Sequence, residues 1–423
     1  MVRARALMLT AAVALLAGTG ARADDIAVPA EADLAQAVAH AAAGDVLRLA
    51  PGVHRGPVVV ATPHLTLQGA PGAIIDGGGA GNTITVAAPD VVLRDLIIRG
   101  SGLSLPDKNS GVFIGRGADR AVVADNDLEG NLIGVYLDGP RDALVQHNRI
   151  AGLQRLRRNE RGPAVEVFDT PGSRIIDNDI SDGRDGVFSV TSHDNVVQGN
   201  RFRRLRYSVH FMYTNKSVVA DNISVGNDIG YAMMYSDHLR LDANVSDGDR
   251  EYGLLFNYAN DSRISGNIVR GSGKCVFIYN ANKNRFEENW FEGCQIGIHF
   301  TAGSERNTIT GNAFVANRTQ VMYVGTRFLD WAERGRGNYW SDNPGFDLRG
   351  RGIADAAYRP NNVVDQVVWR APAAKLLLNS PAVQILRWAQ AAFPAIHPGG
   401  VIDSAPLMRP PMPPALARLQ ATP

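Results

Sequence analysis

The sequence predicts an all-β solenoid, a single-stranded right-handed parallel β-helix, on three observations. An Asn recurs at 126, 148, 178, 200, 222, 244, 267, 289 and 312, mostly at steps of 22 or 23 residues. Each lies in a short strand-like run such as AVVADNDL, NVVQGNRF or RISGNIV. Thirteen or fourteen residues earlier stands a second apolar run: GVYL, GVFSV, SVHFMY, YAMMY, GLLFNY, CVFIYN or GIHF. A period of this size built from short strands marks a solenoid whose repeats pack on their neighbours. The Asn falls at a bend, where its amide can bond the Asn above and below and so offset the burial of a polar group.

The chain of 423 residues would suggest two or three domains by length alone. A solenoid escapes that expectation, because its core grows linearly with each coil. The 44 glycines suit tight turns between short strands. With 43 basic and 42 acidic residues the formal net charge is +1, and no basic face for nucleic acid is announced.

At the N-terminus, Arg3 and Arg5 precede an apolar run over 6–16, and Ala21-Arg22-Ala23 supplies a small-x-small cleavage pattern. The run is too short to span a bilayer. No lipobox Cys follows it, and Arg3 and Arg5 do not form a twin-Arg pair. The expectation is a Sec-type signal over 1–23 and an exported protein, periplasmic in a cell with two membranes. An N-terminal cap would then cover 24–43, the β-helix 44–340, and a C-terminal segment 341–423.

Residues 31–43 (EADLAQAVAHAAA) carry Leu34, Val38 and Ala41 on one helical face, suiting a helix that covers the open first coil. GDVLRLAPGVHRGPVVV (44–60) opens the coils. Loops are expected at 102–110 and at 153–163, the latter carrying Arg155, Arg157, Arg158 and Arg161 and accounting for the 30-residue step from Asn148 to Asn178. Past Asn312 the period fails, and Phe328, Trp331, Tyr339 and Trp340 read as a plug for the last coil. DLRGRGIAD (347–355) has the outline of a calcium loop, but Arg349 and Arg351 stand where carboxylates are wanted, so no calcium is expected.

Ser380-Pro381 starts a helix whose surface is almost wholly apolar, through Ile385, Leu386, Trp388 and Phe393. Such a helix either folds back on the last coils or docks on a membrane partner or bilayer surface. The Pro-rich stretch 398–423 is expected to be extended or disordered. Export permits a disulfide between Cys275 and Cys294. Coil register, however, stacks Cys275 on Gly297 and Cys294 on Ser272, leaving the pair roughly one coil and three residues apart, near or beyond the ~7 Å Cα limit. Two buried free thiols are the expectation, with the disulfide as alternative.

Pectin-lyase-like β-helices are often lyases, hydrolases or epimerases, whose chemistry needs converging acids. Here no outward slot stacks three acids, and Glu166 is the best single candidate for a polysaccharide lyase or epimerase. One outward slot of the second run reads Tyr136, Glu166, Phe188, His210, Ala232, Leu255, Phe277, His299 and Met322 in successive coils. The slot two residues on reads Asp138, Phe168, Val190, Met212, Met234, Asn257 and Tyr279. An outward groove this apolar is a contact surface. His210, Met212 and Met234 cluster within it, and His299 and Met322 lie one coil apart; an imidazole with thioethers suits Cu(I). The plainer reading of such a stripe is packing.

The chain resembles the NosD family of periplasmic accessory proteins. The likeness rests on the GDVLRLAPGVHRG opening, the N-x-I coils, GNYWSDNPGFDLRGRGIAD (337–355) and SPAVQILRWAQAAFPAIHPGGVIDSAPL (380–407). Members of the family often carry Asp where Arg349 and Arg351 stand. The resemblance implies a non-enzymatic binding protein that partners an ABC transporter, made of an ATPase and a membrane permease. It further implies a part in assembling the copper-sulfide centre of nitrous oxide reductase, with a copper chaperone as a possible further partner.

Overall fold

The computed structural model describes residues 23–301, 303–325, 327–378, 380–392 and 400–416. The predicted signal, apart from Ala23, and Phe393 lie outside the described residues. The chain winds as a right-handed parallel β-helix with three long faces of 13, 13 and 12 strands, every rung hydrogen-bonded to the coils before and after it. One coil shows the plan. Val196–Gln198 leads into the corner Asn200, Arg201–Arg203 leaves it, and the longer Tyr207–Asn215 returns to the start. These three faces are called here the pre-Asn, post-Asn and long-strand sheets. Alternation sorts the side chains: Val197, Phe202, Val209 and Phe211 are fully enclosed in the bore.

The corner explains the repeat. The residue before each Asn takes a left-handed turn, with φ of 58° at Asp125, 54° at Asp177 and 55° at Ala243. That turn aims the Asn amide along the solenoid axis. Asn222 Nδ2 donates to Asn244 Oδ1 (2.9 Å) and to the Val197 carbonyl (2.8 Å), while the Asn222 backbone N–H also donates to Asn244 Oδ1 (3.2 Å). The pattern runs unbroken from Asn126 to Asn312 and on to a tenth member, Asn338, at 3.0 Å from Asn312. The sequence period missed Asn338 because the last step is 26 residues.

At the first coil, Asp25–Val28 already pairs in parallel with Val46–Leu49, so the stack begins inside the stretch assigned to the cap. Helix α1 (Leu34–His40) follows, capped by the Asp33 carboxylate on Gln36 N–H, and buries Leu34 and Val38 over the open end. At the other end Trp331 and Trp340 are buried, with Trp340 stacked on Phe314 at 4.4 Å, whereas Phe328 is exposed. The stretch 347–355 is closed by its own ion pairs, Arg351–Asp355 at 3.3 Å and Arg349–Asp355 at 3.8 Å.

Two expectations are corrected. The Pro-rich tail is not loose over 400–416. Gly400–Ile402 pairs in parallel with Phe328–Asp330, and Ala415 and Leu416 pack on Val245 and Ile268 outside the post-Asn sheet. Asp403, fully buried, accepts from Asn338 N–H (2.7 Å) and Trp340 Nε1–H (2.8 Å) and thereby terminates the Asn ladder. The second correction is that Cys275 and Cys294 form a disulfide, with Cα atoms 5.7 Å apart. The coil register was as expected. Cys294, however, sits at a corner, where three residues of chain advance far less than along a strand. A rise of about 4.8 Å per rung leaves only about 3 Å of lateral offset.

Between the last coil and this returning strap, residues 341–378 and 380–392 form an arm. It carries helix α2 (Val363–Arg370) and helix α3 (Pro381–Ala392), which pack on each other. The Asn362–Asp365 capping box starts α2. Asn361 Nδ2 donates to the Val321 carbonyl at 2.6 Å, tying the root of the arm to the long-strand sheet.

Candidate functional site

The outward row of the long-strand sheet is as the period predicts: Phe188, His210, Ala232, Leu255, Phe277, His299 and Met322 are consecutive register partners. Met212 and Met234 are partners one slot along, and Met233 points into the bore. His210 and His299 are four rungs apart, about 19 Å. The row is not, however, the open groove that alternation suggested. Ala232 and Leu255 are buried in a second apolar layer outside the sheet, with Ile229, Tyr207, Tyr252, Phe277 and Met234 around them. Large side chains at the start of each long strand fold over the row, so that His210 is only 7% exposed.

His210 lies between the rings of Phe188 (4.9 Å) and Tyr207 (4.5 Å). Beside it Asp185, wholly buried, receives two bonds from Arg206, Nε to Oδ1 at 2.9 Å and Nη2 to Oδ2 at 2.7 Å, and one from Arg184 Nε at 3.3 Å. Burial alone would raise the Asp185 carboxyl; the neighbouring His210 and the two guanidiniums outweigh it and hold it below the ordinary range. His210 Nδ1 stands 3.7 Å from Asp185 Oδ2, beyond hydrogen-bonding distance, and both ring nitrogens are buried without a hydrogen-bond partner.

His299 is placed differently. Its ring meets Phe277 at 4.9 Å, and the Lys274 ammonium lies 4.5 Å from the Phe277 centroid and 4.9 Å from that of Tyr252. Burial, then repulsion from Lys274, pushes the imidazole down to about 4, so it is neutral at pH 7. Its Nδ1 is buried with no hydrogen-bond partner, and Met322 occupies the next rung. A neutral imidazole beside a thioether is a donor set for a soft monovalent metal. Among the described residues, no cluster of three or more His, Cys, Asp or Glu side chains is arranged to hold a metal ion.

Glu166, the expected catalytic acid, is 2% exposed and bonded to Lys108 Nζ at 2.5 Å, with the 102–110 loop laid over it. Of the basic loop, Arg158 pairs with Asp228, and Arg161 holds the loop closed through the carbonyls of Leu156, Asp182 and Gln154. The docking residues of α3 are open: Ile385, Leu386 and Trp388 are 64%, 42% and 69% exposed.

One feature escaped the sequence reading. Tyr213, Tyr235 and Tyr258, each with φ near +52°, stack at 5.1 Å per step along the edge of the long-strand sheet, and Tyr279 closes the series edge-on at 5.9 Å. Their recurrence at 22 and 23 residues was the available signal. The stacked rings cover one another's faces, and the Tyr258 hydroxyl accepts from Asn280 Nδ2 at 2.9 Å.

The geometry is that of a parallel β-helix with its one candidate acid locked in an ion pair and with imidazole and thioether donors along one outer face. The sequence comparisons give the family. The profile of the NosD family, described as periplasmic copper-binding protein, matches residues 146–345. Two relatives carry the name "Probable ABC transporter binding protein NosD". One, from Stutzerimonas stutzeri, is 40% identical over 377 residues, covering 86% of each chain. The other, from Pseudomonas aeruginosa, is 41% identical over 378 residues, covering 86% of this chain and 88% of its own. The chain belongs to the NosD family. Solved structures share the fold alone. The Dettilon tailspike protein has a TM-score of 0.53 at 14% identity, over 67% of this chain and 62% of that one, so this chain spans less than two thirds of the tailspike. The Streptococcus pneumoniae adhesin PfbA has 0.52 at 11%, over 69% and 86%.

Proposed function

We propose that the protein is a non-catalytic periplasmic scaffold that takes up Cu(I) as cargo on the outer face of its long-strand sheet. Docked on the membrane permease of an ABC transporter, with its ATPase beyond, it passes copper toward the copper-sulfide centre of nitrous oxide reductase, a copper chaperone being the donor. The observation that carries this reading is the pairing, on one outward face, of buried imidazole nitrogens lacking partners with thioethers one rung or one slot away. His299 with Met322 is the first candidate, since its imidazole is already neutral. His210 with Met212 and Met234 is the second, and its imidazole shares its surroundings with Asp185 and Arg206. Ile385, Leu386, Trp388 and Phe393 are the docking residues. The rival role of lyase or epimerase is disfavoured because Glu166 is sealed beneath Lys108.

Anaerobic competition against a chromophoric Cu(I) chelator tests the reading. The mature protein should withdraw Cu(I), and His299→Gln with Met322→Leu should weaken it at least about ten-fold. A strain in which the gene is deleted should leave the reductase without its copper-sulfide centre. Unaltered Cu(I) binding by variants of both groups, or turnover of a uronate polymer, overturns it. Docking has its own readout: substituting Ile385, Leu386 and Trp388 by Ser should abolish copurification with the permease.

A further inference from the structure

The near-neutral total conceals a charge gradient along the solenoid. Residues 24–130, the first coils, hold 7 basic and 13 acidic side chains. Residues 301–423, the last coils with the arm and strap, hold 13 basic and 8 acidic. Among the described residues, exposed Arg306, Arg318, Arg334, Arg336 and Arg359 at that end make no ion pair within 4.0 Å of a carboxylate. The same end carries the most exposed large apolar side chains of the described residues, Leu348 at 81% and Leu376 at 90%, with Trp388 and Ile385 on α3. No helix among the described residues is long and apolar enough to cross a membrane. Exposed apolar side chains and a surplus of guanidiniums at one end of the molecule are the combination that binds an anionic lipid surface: the apolar groups enter the headgroup boundary and the cations meet phosphates. The acidic first coils would be repelled, so the gradient also sets which end faces the bilayer.

We infer that the C-terminal end of the solenoid binds anionic phospholipid directly, standing the β-helix on the membrane with its acidic end outward. The inference rests on the docking reading only in bringing the arm to the membrane, and adds a contact that needs no permease. The Arg side chains act from a distance comparable to the Debye length, about 8 Å at physiological salt, so the contact is salt-sensitive.

The test is cosedimentation of the full mature chain with vesicles of phosphatidylcholine alone and vesicles in which about a third is phosphatidylglycerol. Binding should require the anionic lipid and fall with added salt. The triple variant Arg334→Gln, Arg336→Gln, Arg359→Gln should lose at least about ten-fold, at roughly five-fold per cation near the surface. Trp388→Ser should weaken binding to the anionic vesicles without changing its salt dependence. Each variant is first matched to the parent by thermal unfolding. Equal binding to both vesicle types, or none to either, overturns the inference. Copurification of the unaltered chain with the permease is scored separately: its absence with vesicle binding intact would remove the docking reading and leave the lipid contact standing.

Discussion

His210 and His299 occupy the same slot of the same sheet four rungs apart, yet the molecule fixes the two rungs by different chemistry. Around His210 the lock is ionic: a fully buried carboxylate gripped by two guanidiniums, with two aromatic rings closing over the imidazole. Around His299 it is covalent. The Cys275–Cys294 disulfide joins the rung of Lys274–Tyr279 to the corner leading into Ile296–Thr301, and the imidazole itself is left without a charged partner. The difference teaches that a position in a repeat does not carry a role. The neighbours decide whether a histidine is committed to the scaffold or held ready for something else.

The largest expected effect would break the ionic side of the comparison. Arg206→Met leaves Asp185 buried with only Arg184 and the nearby His210 imidazole beside it and should cost about 3 kcal/mol in denaturant unfolding at pH 7; an unchanged midpoint would mean the pair is not what fixes this rung. On the covalent side, Cys275→Ser with Cys294→Ser should cost about 2–3 kcal/mol, from the loop it closes. If Cu(I) binding survives that loss, the disulfide serves stability alone.

pH sharpens the contrast. His299 has a folded pKa of about 4 against 6.5 for the free group, so folding favours its neutral form. The stability this contributes is present above 6.5 and is lost as pH falls toward 4. Over that window His299→Gln should unfold with a flatter pH dependence than the parent, measured as the denaturation midpoint at each pH. An identical slope in both proteins would show that His299 titrates normally. The smallest effect is expected for Met212→Leu with Met234→Leu, which should change stability by less than about 1.5 kcal/mol per site. A larger loss would assign the Met234 thioether to packing on the layer of Ile229, Ala232 and Leu255.

Much of the fold was legible because a coil of fixed length repeats its constraints. The corner Asn is required by hydrogen-bond satisfaction in every coil, so its period, and with it the register of His210, Met234 and Met322, could be read from spacing. Three features were not legible, each for a local reason. The disulfide depends on how sharply one corner bends, which residue counting along a strand overestimates. The cover over His210 comes from Tyr207 and Arg206 at the strand start, whose size matters more than their alternation. The burial of Asp403 is set by Asn338, 65 residues away, and no periodic signal reaches the strap.

That last contact has a mechanical consequence. Because Asp403 closes the ladder from beyond the arm, the arm is not a tail but a loop sewn into the stack at both ends, at Asn361 on the long-strand sheet and at the strap on the post-Asn corner. A pull transmitted through the arm is therefore shared between two seams loaded in parallel. Neither seam can open alone to free the solenoid, and a tug on the arm tilts the whole β-helix as one rigid lever rather than unwinding its final coil.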